Sequence, residues 1–302
     1  MEPNVVNVED INESLRNNKS EYISHCEEKY KKQILEVTEN IIKKGDVKFI
    51  LLAGPSSSGK TTTSKILTEY LKEKGITARP ISLDDFFLER SETPKWENGD
   101  YNFETADAID WNLFSSCMKK LLNNESVKLP TYLFGMGTKV FGESTVLEEN
   151  SVLIIEGLHA LNPVIDNFIP TKNSYKIYIS CNYDIYNNQK LFMYQKDIRL
   201  FRRMIRDLFT RSTSIQNTLK MWERVMLGEK LYIDPFVYTA EYEVNSFLLY
   251  ELGIYKSLLQ KLHKEDNDLI HLINQLEPFD ALEQTVVPKD SLLQEFVPDH
   301  IL

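Results

Sequence analysis

Residues 54–61 have the residue types and spacing that bind phosphate groups. They read Gly-Pro-Ser-Ser-Ser-Gly-Lys-Thr, which matches the pattern G-x-x-x-x-G-K-[ST]. In such a loop the glycines let the chain curl, so that backbone N–H groups and the positive end of the next helix point at the phosphates. Lys60 is placed to reach the β- and γ-phosphates, and the Thr61 hydroxyl to ligate Mg²⁺. The predicted nucleotide-binding residues are Gly54, Pro55, Ser56, Ser57, Ser58, Gly59, Lys60, Thr61 and Thr62.

Acidic side chains stand at the ends of two further strand-like runs. Asp84 and Asp85 follow one such run, about one βαβ unit after Lys60, and Glu156 ends the other. Ligands of an open α/β sheet bind at the carboxyl ends of its strands, so we expect these acids to face the triphosphate. One aspartate would accept a hydroxyl proton from an acceptor substrate, and Glu156 would hold Mg²⁺ directly or through water. The alternative for the aspartates is a solvated turn, and His159 is predicted to be a structural loop residue.

Basic residues are concentrated between positions 196 and 211. Four arginines share one helical face by their i, i+3, i+4, i+7 spacing: Arg199, Arg202, Arg203 and Arg206. Such a guanidinium face predicts a clamp that closes over the transferring phosphate. The alternative is a solvated face whose arginines pair with Asp197 and Asp207.

Composition limits the classes of partner. The chain has 302 residues, 42% of them hydrophobic, and a formal net charge of −10, which argues against a nucleic-acid or anionic-membrane binder. Its three cysteines are widely spaced and match no zinc pattern, so a reducing, cytoplasmic setting is expected. The sequence starts without the apolar stretch of a signal peptide, and no run approaches 18 apolar residues.

The order of strand-like and helix-like runs predicts the fold. Strands are predicted at 47–53, 77–83, 152–155 and 175–180, and helices at 60–74, 111–122, 197–211 and 246–262. This alternation predicts a doubly wound α/β fold with a mostly parallel sheet and helices on both faces. The predicted domain covers residues 46–262, with an arginine-bearing helical lid at about 197–235. Residues 1–45 form a helical N-terminal extension, and residues 263–302 a C-terminal tail packed on the domain.

Six segments, in this order, resemble the uridine kinase and phosphoribulokinase-like family of P-loop kinases. They are GPSSSGKTT, ISLDDFF, GDYNFETADAID, LPTYLFGMGTK, IIEGLHALN and RLFRRMIRDLFTR. The nearest likeness is to the uridine-kinase-like domain that many bacterial proteins carry behind TGS and synthetase-like modules. That likeness continues through residues 291–296.

The resemblance implies a phosphotransferase that moves the γ-phosphate of ATP to an alcohol group, with a nucleoside of the uridine or cytidine kind as the favoured acceptor. It implies that Asp84 is the catalytic base, assisted by Lys60 and Arg206, and that Arg203 and Arg211 also close on the phosphates. The implied acceptor-binding residues are Asp84, Phe87, Glu104, Tyr132, Phe134 and Arg206. The implied Mg²⁺ ligands are Thr61, Glu156 and Asp84.

Three departures from the family pattern concern the acceptor and the lid. Gly137 stands where uridine kinases have a histidine that helps to read the pyrimidine, Thr213 where the lid has an arginine, and Met221 where it has a glutamine. Loss of a side chain that hydrogen-bonds a substrate can change discrimination by orders of magnitude. The acceptor therefore stays open between a nucleoside and another sugar-containing metabolite. The sequence is also compatible with a nucleotide-dependent switch, with an inactive interaction protein and with a homo-oligomer.

Overall fold

The computed structural model describes residues 3–148, 151–211, 213–261 and 267–297. Within these residues the strands, in chain order, are β1 (Asn4–Asn7), β2 (Phe49–Ala53), β3 (Ala78–Ser82), β4 (Val127–Leu133), β5 (Thr138–Thr145), β6 (Val152–Glu156), β7 (Ser174–Ser180), β8 (Tyr183–Asn187), β9 (Lys190–Met193) and β10 (Tyr242–Asn245). The α-helices are α1 (Val8–Lys44), α2 (Lys60–Glu73), α3 (Trp111–Leu122), α4 (Gln195–Thr210), α5 (Ile215–Tyr232), α6 (Glu251–Lys261) and α7 (Asn267–Gln275).

A five-stranded sheet with the order β10-β7-β2-β6-β3 forms the centre, and its strand pairs are all parallel. Every residue of β2 and β6 is buried, as expected for strands covered on both faces. Alternate β2 residues belong to different cores: Ile50 and Leu52 pack on one side of the sheet, and Phe49 and Leu51 on the other. The predicted doubly wound α/β fold is therefore confirmed.

Both ends of the described chain pack into the core on the side of the sheet that contains Ile50 and Leu52. The 37-residue helix α1 is kinked at Asn18 and buries Tyr30 and Ile34 in this core. Leu292 and Phe296, near the other end, are fully buried in it. No described helix is long and apolar enough to cross a lipid bilayer.

Several of the observed strands and helices were not predicted individually. They are the antiparallel hairpin of β4 and β5, the small sheet of β1, β8 and β9, the edge strand β10 and helix α5. The helix predicted at 246–262 begins only at Glu251, because Ser246 still pairs with β7, donating its N–H and its hydroxyl to the carbonyl of Ser180. Its predicted end at residue 262 lies outside the described residues.

Candidate active site

The phosphate loop connects β2 to α2, as the motif requires. Gly59, the residue before the helix, has a φ of +92°, which an L side chain rarely adopts. A Cβ at this position would also lie 2.5 Å from Cδ1 of Leu292, so the loop depends on glycine for two reasons. The ammonium of Lys60 donates to the carbonyl of Pro55 at 3.2 Å, and Thr61 is exposed in the first turn of α2. The backbone conformation and the positive group that phosphates need are both present.

Two arginines of α4 donate hydrogen bonds to backbone carbonyls of this loop. Nη1 of Arg199 donates to the carbonyl of Ser56, and Nη1 of Arg202 to that of Ser57, each at 3.3 Å. Both guanidinium groups are neutralised: Arg199 by Glu229 of α5 and Arg202 by Glu251 of α6, each at 2.8 Å. The predicted clamp of four arginines is therefore wrong for Arg199 and Arg202, because carboxylates of the protein already neutralise their buried charges.

The other arginines of this region converge on one buried carboxylate. Asp207 is 2% exposed, and its oxygens lie 3.3 Å from Arg203, 2.8 Å from Arg206 and 3.7 Å from Arg211. Burial lowers the pKa of Arg203 and of Arg211, and repulsion from Arg206 adds to both shifts. Three guanidinium groups against one carboxylate leave an excess of positive charge, which suits a phosphate group. Nη1 of Arg203 also donates to Oγ of Ser56 in the loop at 2.9 Å.

The strand-end acids lie at one edge of the sheet. Ser82 pairs with Glu156 in the parallel register of β3 and β6, and Asp84 follows in a short 3₁₀ turn. Burial raises the pKa of Glu156 to about 7, repulsion from Asp84 adds to the rise, and Lys60 opposes it. Asp85 plays a structural part instead, because its Oδ1 accepts the N–H of Tyr132 at 3.1 Å and so fixes the β4–β5 hairpin.

The donor set at this edge fits Mg²⁺. Thr61 supplies a hydroxyl, and Glu156 and Asp84 supply carboxylates, which are the hard oxygen ligands that this ion prefers. The described residues hold no group of three or more His, Cys, Asp or Glu side chains arranged for a metal. Magnesium in phosphoryl-transfer sites uses only one or two carboxylates and takes further ligands from the phosphates and water, so this finding agrees with the donor set.

Glu104 packs against Gly228 of helix α5. Burial raises the pKa of Glu104 to about 7, Arg203 opposes the shift, and the charge of Asp84 adds to it. Burial lowers the pKa of His159 to about 4, against the effect of the Glu104 and Thr105 backbone beside it. His159 is therefore neutral near pH 7, and both of its ring nitrogens are buried without a hydrogen-bond partner among the described residues.

An aromatic cluster includes Phe103, the residue before Glu104. Phe87 lies 5.1 Å from Phe103, 5.7 Å from Tyr132 and 6.0 Å from Phe134 between ring centroids. The hydroxyl of Tyr132 is buried and has no hydrogen-bond partner among the described residues. The guanidinium of Arg211 lies 5.3 Å above the Phe134 ring and so connects this cluster to the arginines around Asp207.

The space beside Gly137 is filled by Arg90. A Cβ at Gly137 would lie 2.4 Å from Nε of Arg90, whose Nη2 donates to the carbonyl of Phe134. The guanidinium thus stands where a side chain at position 137 would point. Met221, the third departure, lies exposed on α5.

Sequence reasoning missed several residues of the site. Glu229 and Glu251 neutralise Arg199 and Arg202 but lie outside the sequence motifs. Arg90 also lies outside them. Glu295 was also missed, although its Oε2 accepts both the N–H and the hydroxyl of Thr62, at 3.1 and 2.7 Å. Asp207 was noted only as a surface partner, whereas it is the buried centre of the three arginines.

Known proteins resemble this chain in sequence. A model of the "Phosphoribulokinase / Uridine kinase family" matches residues 49–248. Uridine kinase of Schizosaccharomyces pombe is 28% identical over 180 residues, which are 59% of this chain and 36% of that protein, so the chain spans about a third of this relative. Uridine kinase of Borrelia duttonii is 29% identical over 197 residues, 65% of this chain and 84% of that one.

A possible uridine kinase from Bacillus stearothermophilus is among the solved structures that resemble this chain. It has a TM-score of 0.47 and 18% identity, and covers 70% of this chain and 97% of its own. The residues matched by the family model include the phosphate loop, the strand-end acids and the arginines around Asp207. The chain therefore belongs to the phosphoribulokinase / uridine kinase family.

Proposed function

We propose that this protein transfers the γ-phosphate of ATP to a hydroxyl group of a nucleoside. One observation carries the proposal: Asp84 lies in the short turn after β3, between Ser82, which pairs with Glu156, and Phe87, which belongs to the aromatic cluster. Asp84 therefore stands in the turn that joins the phosphate-binding half, with Lys60 and Glu156, to a second half that holds the aromatic rings. A base between donor and acceptor is what transfer to a hydroxyl needs.

On the donor side the chain positions and neutralises phosphate. The loop N–H groups and Lys60 would hold the β- and γ-phosphates, and Arg203, Arg206 and Arg211 would face the transferring group. Thr61, Glu156 and Asp84 are the residues that would hold Mg²⁺, which neutralises phosphate charge when it is bound. Asp84 takes the proton of the acceptor hydroxyl.

On the acceptor side, the chemistry of the pocket suits a nucleoside. Glu104 can accept hydrogen bonds from the hydroxyls of a sugar, and the rings of Phe87, Tyr132 and Phe134 offer apolar surface to a planar base. The unpartnered hydroxyl of Tyr132 gives that surface a polar group. The names of the curated relatives, which are uridine kinases, support this class of acceptor.

Arg90 favours a second candidate acceptor. Its guanidinium fills the space beside Gly137, so the pocket presents a positive charge there. A guanidinium binds phosphate and carboxylate groups well, which suits a phosphorylated or otherwise anionic sugar as the acceptor. The aromatic rings favour the nucleoside, and Arg90 keeps the sugar phosphate as the alternative.

The test is ATP consumption by the purified protein with Mg²⁺ and a panel of uridine, cytidine, purine nucleosides, sugar phosphates and pantothenate-like alcohols. We expect ADP to form with the pyrimidine nucleosides and the product to be the 5′-phosphate. Turnover with sugar phosphates alone would show that the acceptor is the second candidate and not a nucleoside. Slow ATP hydrolysis that no acceptor accelerates would favour a nucleotide-dependent switch and contradict the proposal.

A further inference from the structure

Residues 291–297 form a short segment that lies against the phosphate loop. Leu292, Leu293, Phe296 and Val297 are fully buried. Leu292 packs against Gly59 of the loop, and the ring of Phe296 lies 4.9 Å from the guanidinium of Arg202, which holds the carbonyl of Ser57. Removing so much apolar surface from the core is costly, so the backbone of the segment is fixed in this place.

Glu295 is the charged residue of this segment, and it is only partly buried. Its Oε2 accepts the backbone N–H of Thr62 at 3.1 Å and the Thr62 hydroxyl at 2.7 Å. Thr62 is in the first turn of α2, where backbone N–H groups have no partner within the helix. The carboxylate therefore sits at the positive end of the helix that follows the phosphate loop.

A nucleotide phosphate would seek the same donors. Anions bind at this end of a phosphate-loop helix through its free N–H groups and its dipole. A carboxylate and a phosphate cannot both accept the N–H and the hydroxyl of Thr62, and two negative groups at one helix end repel each other.

We propose that Glu295 is a further residue of the nucleotide site. In the free protein it occupies the two donors of Thr62, and a bound nucleotide takes them over for a phosphate, so Glu295 lowers the affinity for nucleotide. The inference rests on the proposed nucleotide binding. Because Leu292 and Phe296 anchor the segment, the exchange needs only the Glu295 side chain to swing away.

The experiment compares the wild-type protein with Glu295→Gln. Glutamine keeps the shape and loses the charge, so ATP and inorganic tripolyphosphate should both bind roughly twofold to thirtyfold more tightly in calorimetric titrations, the range expected for one charge at a helix end. Tripolyphosphate isolates the phosphate part of the effect because it lacks the nucleoside. Glu283→Gln is the matched control: Glu283 is exposed, pairs with Lys261, and loses the same charge without a change in affinity.

Unchanged or weaker ATP binding by folded Glu295→Gln would overturn the inference. It would mean that the carboxylate has no effect on the affinity for nucleotide or raises it. If Glu295→Gln does not fold, as judged by its melting curve, Glu295→Asp replaces it. The shorter side chain withdraws from Thr62, and tighter binding is again the expected result. A wild-type protein that binds ATP no better than Lys60→Ala would overturn the proposed function itself.

Discussion

Glu104 and Gly228 pack so closely that a Cβ on Gly228 would lie 2.3 Å from the Cβ of Glu104. Only a glycine lets α5 approach this near. The neighbouring residue of the helix, Glu229, pairs with Arg199 behind the phosphate loop. Helix α5 therefore rests on the carboxylate that we assign to the acceptor and is tied to the loop that we assign to the donor.

This contact predicts the effect of Gly228→Ala. The added methyl group has to push α5 away from Glu104, so KM for the acceptor should rise roughly 10- to 100-fold, while the Kd of ATP stays within about twofold. Alanine favours the helix itself by about 1 kcal/mol over glycine, so a loss of helix cannot explain the effect. Leu227→Ala, at an exposed position of α5, is the control and should leave both constants unchanged. An unaltered acceptor KM in Gly228→Ala would refute the assignment.

Asp84→Asn removes the proposed base and keeps the shape of the side chain. We expect kcat to fall about 10²- to 10⁴-fold, the usual share of general-base catalysis, with the affinity for ATP nearly unchanged. Steady-state rates with the best acceptor and calorimetry with ATP measure the two effects. Asp85→Ala is the control, because it removes the acceptor of the Tyr132 N–H in the β4–β5 hairpin and should lower the melting temperature more than the rate. Most of the turnover surviving in Asp84→Asn would exclude this residue as the base.

Lys60→Ala should abolish turnover and weaken triphosphate binding about a hundredfold, because a charged hydrogen-bond donor to the phosphates is lost. Fluorescence or calorimetric titration with ATP gives the affinity. Lys65→Ala removes the same charge from an exposed position of α2 and should bind ATP normally. Near-normal ATP binding by Lys60→Ala would be incompatible with a phosphate-binding loop.

The Arg202–Glu251 pair predicts a stability effect, since both side chains are 0% exposed. Arg202→Met leaves the Glu251 carboxylate buried and unpaired, which should cost about 3–5 kcal/mol of unfolding free energy in urea titrations. Replacing both, as Arg202→Met with Glu251→Leu, should recover part of this loss. Breaking the exposed pair of Lys261 and Glu283 should cost less than about 1 kcal/mol. Equal costs for the two pairs would show that Arg202 is not held as described.

The raised pKa of Glu104 predicts a pH-dependent stability. A carboxyl whose pKa rises from 4.5 to about 7 on folding favours the folded state below pH 4.5, and this advantage is lost as the pH rises through about 7. Glutamine mimics the protonated form. Glu104→Gln should therefore melt like the wild type at pH 4 and be more stable at pH 8, by at most about 3 kcal/mol. Thermal melts across this range test it, and a constant difference between the two proteins would contradict the raised pKa.

The sequence predicted the central sheet well because its signals are local. The strands before the phosphate loop and before Glu156 are continuous apolar runs, and α3 was predicted with its observed bounds, Trp111–Leu122. The β4–β5 hairpin was missed because Pro130 interrupts its first strand, and proline usually argues against a strand.

The contacts of the arginines of α4 could not be predicted from local sequence patterns. Helical spacing correctly places Arg199, Arg202, Arg203 and Arg206 near one another, but it does not say what packs on them. That depends on Glu229, Glu251 and Asp207, and only the last of these lies on the same helix. Because of this tertiary packing, Arg199 and Arg202 support the phosphate loop instead of forming part of the predicted phosphate clamp.

The contact between Glu295 and Thr62 joins residues that are 233 positions apart. At about 5–20 residues per second, a ribosome needs roughly 10–50 s to synthesise the chain between them. Throughout this interval the nascent phosphate loop lacks both the side chain of Leu292 and the carboxylate that competes for its donors. The loop therefore gains the packing of Leu292 and the carboxylate of Glu295 only after every strand of the central sheet has been synthesised.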